Sequence, residues 1–223
     1  MTAAEMREVD RIAVEDGGIE LLQMMENAGR TLAEHVHTVG DDPVIVVAGN
    51  GGNGGGGLAC ARHLVNHDTS VTIVLDRDPR DLTGATAQQY RVLDEMDIPT
   101  RFGPDTLERV VKGRVIVDAL VGYGLDGDVR EPVRSLLESI NRRTETVVSL
   151  DVPSGVDATS GRTSGVAVAP DRIVTLALPK TGLVDFADSL FLADIGIPKT
   201  VFDRLDVEYA NPFGRGSSVE LSV

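Results

Sequence analysis

Seven glycines fall among residues 48–58, directly after the apolar run 44–47 and before a helix-like stretch over 58–67. A strand, a loop with almost no side chains and then a helix make a cradle for a phosphorylated ligand. Glycine lets the backbone turn sharply and approach closely, and a helix N-terminus offers free N–H groups and a partial positive charge. A flexible surface linker is the competing reading. Such linkers seldom sit between a buried strand and an apolar helix.

The rest of the chain repeats this alternation. Thr2 and Glu5 have capping-box spacing for a helix up to about Glu15, halted by Gly17 and Gly18. A second helix is expected over 20–36, with Leu21, Leu22, Met25, Ala28, Leu32 and Val36 at helical spacing. Strands are expected at 44–48, 70–75, 100–102, 115–117, 146–150, 173–178 and 190–193, and helices at 83–96, 132–140 and 199–205. Residues from 206 onward read as a polar tail. Apolar strands alternating with helices specify a mostly parallel sheet covered on both faces, a Rossmann-like α/β/α sandwich entered through two N-terminal helices. With 223 residues, no second core and no Pro-rich linker, residues 1–223 are expected to form one domain.

Charge and cysteine content narrow the function classes. The net charge of −14, with only three lysines, repels nucleic acid backbones and anionic membranes, so neither is expected as a partner. No apolar run reaches the roughly 18 residues of a membrane span, and the N-terminus lacks a secretion pattern. A single cysteine, Cys60, fits a reducing cytoplasm and reads as a small core residue. An acidic, lysine-poor surface also suits a high-salt interior, in which like-charge repulsion is screened.

Ligands of open parallel sheets bind beyond the carboxyl ends of the strands. Three loops there carry unusual chemistry: the glycine run, residues 118–130 with Asp118 at the end of a buried strand, and residues 151–157 with Asp151 and Ser154 around Pro153 and Gly155. Each aspartate alone could be a cap or turn former. Asn53, Asp118 and Ser154 all present oxygen, the ligand type that hard cations prefer, and a bound cation would neutralise Asp118. No Cys/His cluster suggests zinc; His35, His37, His63 and His67 read as surface or packing residues. Gly49-x-Gly51-x-x-Gly54, with Asp76 about 20 residues on, formally matches a dinucleotide fingerprint, although so many glycines satisfy many patterns.

Several motifs taken together resemble the YjeF N-terminal domain family, the NAD(P)H-hydrate epimerases. They are Met25-Glu26-Asn27-Ala28-Gly29, the glycine loop running into Leu58-Ala59-Cys60-Ala61-Arg62-His63-Leu64, Val117-Asp118-Ala119-Leu120, Gly127-Asp128-Val129-Arg130-Glu131-Pro132, Leu150-Asp151-Val152-Pro153-Ser154-Gly155 and Pro179-Lys180-Thr181-Gly182-Leu183. The resemblance runs from the first helix to Pro198, which leaves no length for the fused dehydratase common in bacterial members. It implies a commonly dimeric sandwich that interconverts the R and S hydrates of NADH and NADPH, the S form passing to a separate dehydratase. It further implies potassium at Asn53, Asp118 and Ser154. The hydrate would be bound by Gly52, Asn53, Gly54, Gly55 and Gly56, by the loop of Gly122, Tyr123, Gly124, Leu125, Asp126, Gly127 and Asp128, and by Asp151. Where the family usually reads Gly-Asn-Asn-Gly-Gly-Asp-Gly, this chain has Gly52 for the first Asn and Gly56 for the Asp, which would remove a ligand-facing acceptor.

The implied reaction inverts a carbon that bears a hydroxyl beside the ring nitrogen. Hydroxide leaves, an iminium-like ring forms, and water returns from the other face, with acid and base assistance. Asp151 is the first candidate for that role, Asp128 the second, and Lys180 a possible source of charge stabilisation. A non-catalytic nucleotide-binding or scaffold module of the same fold is one rival. An NAD-dependent dehydrogenase using the formal fingerprint is another.

Overall fold

The computed structural model describes residues 1–40, 42–163, 165–205 and 207–221. Its first helix, α1 (Ala3–Arg11), begins at the expected capping box: Glu5 N–H donates to Thr2 Oγ1 at 3.2 Å and Thr2 N–H to Glu5 Oε2 at 2.7 Å. A π-helical turn (Ile12–Asp16) continues it to the Gly17–Gly18 stop. Helix α2 (Leu21–Val39) has a second capping box that the sequence reading passed over, in which Glu20 N–H donates to Gln23 Oε1 at 2.8 Å.

Strands β1 (Val44–Ala48), β2 (Val71–Leu75), β3 (Thr100–Phe102), β4 (Val115–Ala119), β5 (Thr146–Leu150), β6 (Arg172–Leu176), β7 (Leu190–Ala193) and β8 (Ser218–Glu220) form one sheet in the order 3-2-1-4-5-6-7-8. Every pairing but the last is parallel. Alternate residues of β1 therefore feed different cores. Val44, Val46 and Ala48 meet α2, helix α3 (Gly52–Asn66) and helix α4 (Gly84–Glu95) through Leu32, Leu58, Leu64 and Leu93. Ile45 and Val47 meet helix α5 (Val133–Asn141) through Leu136, Leu137 and Ile140. Helix α6 (Lys199–Asp203) and α1 close a third cluster around Met6, Val9 and Phe202.

Three expectations change. The strand expected over 115–117, ending at Asp118, runs on to Ala119. The polar tail is folded: β8 pairs antiparallel with β7, Phe213 is buried, and Val207 and Tyr209 pack beside Phe202. Asp206, Ser222 and Val223 of that segment lie outside the described residues.

The largest change concerns the glycine run. Helix α3 starts at Gly52, six residues earlier than its apolar pattern suggests, so most of the run is helix rather than loop. A Cβ at Gly54 would overlap the Gly49 carbonyl oxygen, one at Gly55 the Met25 thioether, and one at Gly57 the Ala119 side chain. The glycines let α3 lie directly on the sheet and on α2. Intrinsic helix propensity opposes this by about 1 kcal/mol per glycine, and tertiary packing overrides it.

Candidate active site

A cavity of about 360 Å³ opens beyond the carboxyl ends of β1, β4, β5 and β6. It lies where the chain reverses from the β1–β2–β3 half of the sheet to the β4 half, the position at which doubly wound sheets bind ligands. The loop after β1 contributes Gly51, the first turn of α3 contributes Gly52 and Asn53, and the loop after β4 contributes residues 120–124. Asp151 follows β5, and Leu176 and Lys180 come from the end of β6 and beyond. Methionines 6, 24 and 25 supply an apolar, adaptable wall from α1 and α2.

Asp151 has a left-handed backbone, φ +67°, which turns its side chain back over the strand ends. Only 2% of it is exposed, and Lys180 is 3% exposed. Their charges meet at 2.5 Å. Asp151 Oδ2 accepts from Tyr123 N–H at 3.0 Å and Oδ1 from Leu176 N–H at 3.3 Å. Lys180 Nζ donates to Leu176 O at 2.6 Å and to Thr175 Oγ1 at 3.3 Å. A carboxylate so held is fixed in position and still reaches the cavity.

Tyr123 ties this pair to α1. Its hydroxyl donates to Asp10 Oδ2, and Lys180 Nζ lies 5.9 Å from its ring centre. Burial pushes the Asp10 carboxyl above its usual range, against the opposing pull of the Tyr123 hydrogen bond. Burial, then the Asp10 charge, raises the Tyr123 phenol as well.

Asp118 and Ser154 are fully buried and in contact. Ser154 Oγ donates to Asp118 Oδ1 at 2.6 Å, while Ser154 N–H and Ser149 Oγ donate to Oδ2 at 2.9 and 2.8 Å. Among the described residues no cationic side chain pairs with Asp118. Burial therefore pushes its carboxyl upward, with the Ser154 hydrogen bonds opposing. Ser154 Oγ also accepts from Val121 N–H at 2.9 Å. Asn53, in the first turn of α3, has its Oδ1 3.0 Å from where a Cβ on Gly122, the residue after Val121, would stand. Both polar atoms of the Asn53 amide are buried without a hydrogen-bond partner among the described residues. The orphaned amide, near Gly122, and the buried carboxyl, with no cationic side chain against it, supply oxygens of the type that suits a cation.

Of the residues singled out from sequence, Gly52, Asn53, Gly122, Tyr123, Gly124 and Asp151 line this cavity. Gly54, Gly55 and Gly56 do not, being buried inside α3. A Cβ at Gly56 would lie 2.8 Å from Leu150 Cδ2, so the position where the family usually has Asp faces the core rather than the ligand space. Leu125, Asp126, Gly127 and Asp128 follow the loop away from the cavity. Asp128 borders a separate depression of about 280 Å³ with Val129, Arg134, Gly165 and Val166. Asp76 pairs with Arg77 at 2.7 Å and does not reach the cavity, which removes the acidic partner of the dehydrogenase reading. His63 meets Glu26 at 2.8 Å, and His35 meets Ser218 at 3.0 Å, where burial and Arg172 lower the His35 ring to about 4. Arg7 and Asp10 were missed by sequence reasoning. The available signal was Asp10 at i+4 from Met6, a carboxylate at the edge of the apolar stripe of α1.

Sheet order and cavity define a doubly wound α/β protein that takes a small ligand at its switch point. Residues 21–182 match the family described as YjeF-related protein N-terminus, and the chain belongs to that family. It is similar to the NAD(P)H-hydrate epimerase of Dehalogenimonas lykanthroporepellens, at 42% identity over 100% of this chain and 92% of that protein. Similarity to the NAD(P)H-hydrate epimerase of Levilactobacillus brevis is 37%, over 88% of this chain and 94% of that one. The bifunctional NAD(P)H-hydrate repair enzyme Nnr of Salinibacter ruber is 38% identical over 92% of this chain, which spans only 42% of that relative. Among solved structures, yeast YNL200c superposes with a TM-score of 0.85 at 26% identity, over 99% of this chain and 98% of that one.

Proposed function

We propose that this chain is an isomerase that interconverts the R and S forms of hydrated NADH and NADPH. The observation that carries the reading is the buried Asp151–Lys180 pair facing a glycine-mouthed cavity, in a chain whose relatives of matching length are named NAD(P)H-hydrate epimerase. At the reacting carbon the C–O bond breaks with its electrons leaving on oxygen, and the ring nitrogen lone pair forms the C=N bond. A water then forms the new C–O bond from the opposite face and loses a proton. Asp151 reaches the cavity from the strand ends and is placed to take that proton. Asp128, outside the cavity, has no part in this scheme.

Asn53, Asp118 and Ser154 are the residues that would hold potassium. Bound there, the ion would neutralise Asp118 and brace the loops after β1, β4 and β5. Its support is the orphaned Asn53 amide and the fully buried Asp118 carboxyl, against which no cationic side chain lies among the described residues. Chiral chromatography of the hydrate, with and without protein, in potassium and in sodium at equal ionic strength, tests activity and ion together. The expected result is acceleration in potassium and less in sodium. No acceleration in either removes the epimerase reading; equal acceleration removes the potassium assignment.

The product would be consumed by a dehydratase acting on the S form, a coupling that the bifunctional relatives' names suggest. The resemblance of the sequence to its family supports a homodimer. Among the described residues no helix is long and apolar enough to cross a membrane, which fits a cytoplasmic enzyme. The net charge of −14 supports a salt-rich interior. Dialysis into low salt is then expected to lower the melting temperature, and an unchanged melt would count against that habitat.

A further inference from the structure

We propose that Asp10 is the second acid–base group of this reaction, acting from α1 across the cavity from Asp151. The inference rests on the epimerase reading. Inversion requires a proton to be delivered on the face from which oxygen leaves and removed on the face to which water adds. One carboxylate cannot occupy both faces, and Asp151 is anchored at the strand ends by Tyr123 N–H, Leu176 N–H and Lys180.

Asp10 is the other carboxyl lining the cavity. It stands a tyrosine's length away, because the Tyr123 backbone contacts Asp151 and the Tyr123 hydroxyl contacts Asp10. The two acids thus hang from opposite ends of one side chain, with the ligand space beside it. Their surroundings differ in the sense that acid–base pairs require. Asp151 has the Lys180 ammonium against it at 2.5 Å. Asp10 has a neutral phenol as its hydrogen-bond partner, and burial favours its protonated form. The charged and titratable groups facing Asp10 are Tyr123 and Lys180 from the loops after β4 and β6 and Asp151 from the end of β5; Arg7 shares its helix and faces Tyr123.

In one direction, protonated Asp10 gives its proton to the departing hydroxyl, which leaves as water. The Asp151 carboxylate takes a proton from the incoming water as the new C–O bond forms. Asp10 ends ionised and Asp151 protonated, which is the arrangement needed for the reverse inversion. An enzyme that interconverts two epimers requires such an exchange of roles.

The test compares kcat, KM and the pH profile for the wild type and for Asp10→Asn, Asp10→Glu and Tyr123→Phe in potassium buffer, with a thermal melt on each. Asp10→Asn is expected to lower kcat by about 10²–10⁴-fold with little change in KM and to abolish the alkaline limb, with Asp10→Glu recovering part of the rate. Tyr123→Phe removes a hydrogen bond that favours ionised Asp10, so its alkaline limb is expected at higher pH than in the wild type. Wild-type kcat and an unchanged profile in Asp10→Asn overturn the proposal while leaving the epimerase reading intact. If Asp10→Asn does not fold, an unmoved alkaline limb in Tyr123→Phe overturns it. A wild-type protein that leaves the hydrate at its background rate overturns both.

Discussion

Asp151→Asn is expected to bring hydrate epimerisation down to the uncatalysed rate while the chain still folds. General acid–base assistance is worth about 10²–10⁴-fold, and the amide can no longer take a proton. Asparagine tolerates the left-handed backbone at φ +67°, so this substitution adds little strain. Alanine there would add about 1–2 kcal/mol and confuse the result. Stability also falls, because Lys180 stays buried without its countercharge, and breaking such a pair costs about 3–5 kcal/mol. The retained bond from Lys180 to Leu176 O limits the loss. Asp151→Asn combined with Lys180→Met removes both charges, so the melt is expected to recover and the activity is not. Catalysis near the wild-type rate in Asp151→Asn would take Asp151 out of the mechanism.

The second large effect falls on stability. Gly54→Ala is expected to cost more than about 4 kcal/mol, enough to prevent folding or to lower the melting temperature steeply. Its methyl would collide with the Gly49 carbonyl, and backbone held between β1 and α3 has no flexible end that could move aside. Gly51→Ala, three residues earlier in sequence but facing open space, is the control and is expected within about 0.5 kcal/mol of the parent. Circular dichroism melts on the two variants decide it. If Gly54→Ala melts with the parent, the helix does not rest on the strand loop as described.

The parallel core was legible because β1, β4 and β5 are buried almost throughout and each carries an apolar run, 44–48, 115–117 and 147–148. The convergence of Asp118, Asp151 and Ser154 followed from their positions at or near the ends of such strands. Glycine hid the start of α3, since the same residue signals a loop in isolation and close packing in context. Ser218, Val219 and Glu220 gave no strand signal, because three mixed residues become a strand only when β7 offers them partners. Lys180 was visible in sequence as a lysine near the end of a strand. Its pairing with Asp151 depends on β5 and β6 lying side by side, which no local pattern encodes. Asp10 lies 141 positions from Asp151 in the chain, and only the folding of α1 over the strand ends brings it to the same space.

Both margins of the sheet are three residues long. At one side β3 presents Thr100, Arg101 and Phe102; at the other β8 presents Ser218, Val219 and Glu220 and covers what would have been a longer parallel rim on β7. Short borders carrying a formal charge are poor templates for adding a foreign strand. Copies of this molecule therefore have little opportunity to zip together through their backbones, and whatever self-association occurs must be made by side chains on the helical layers.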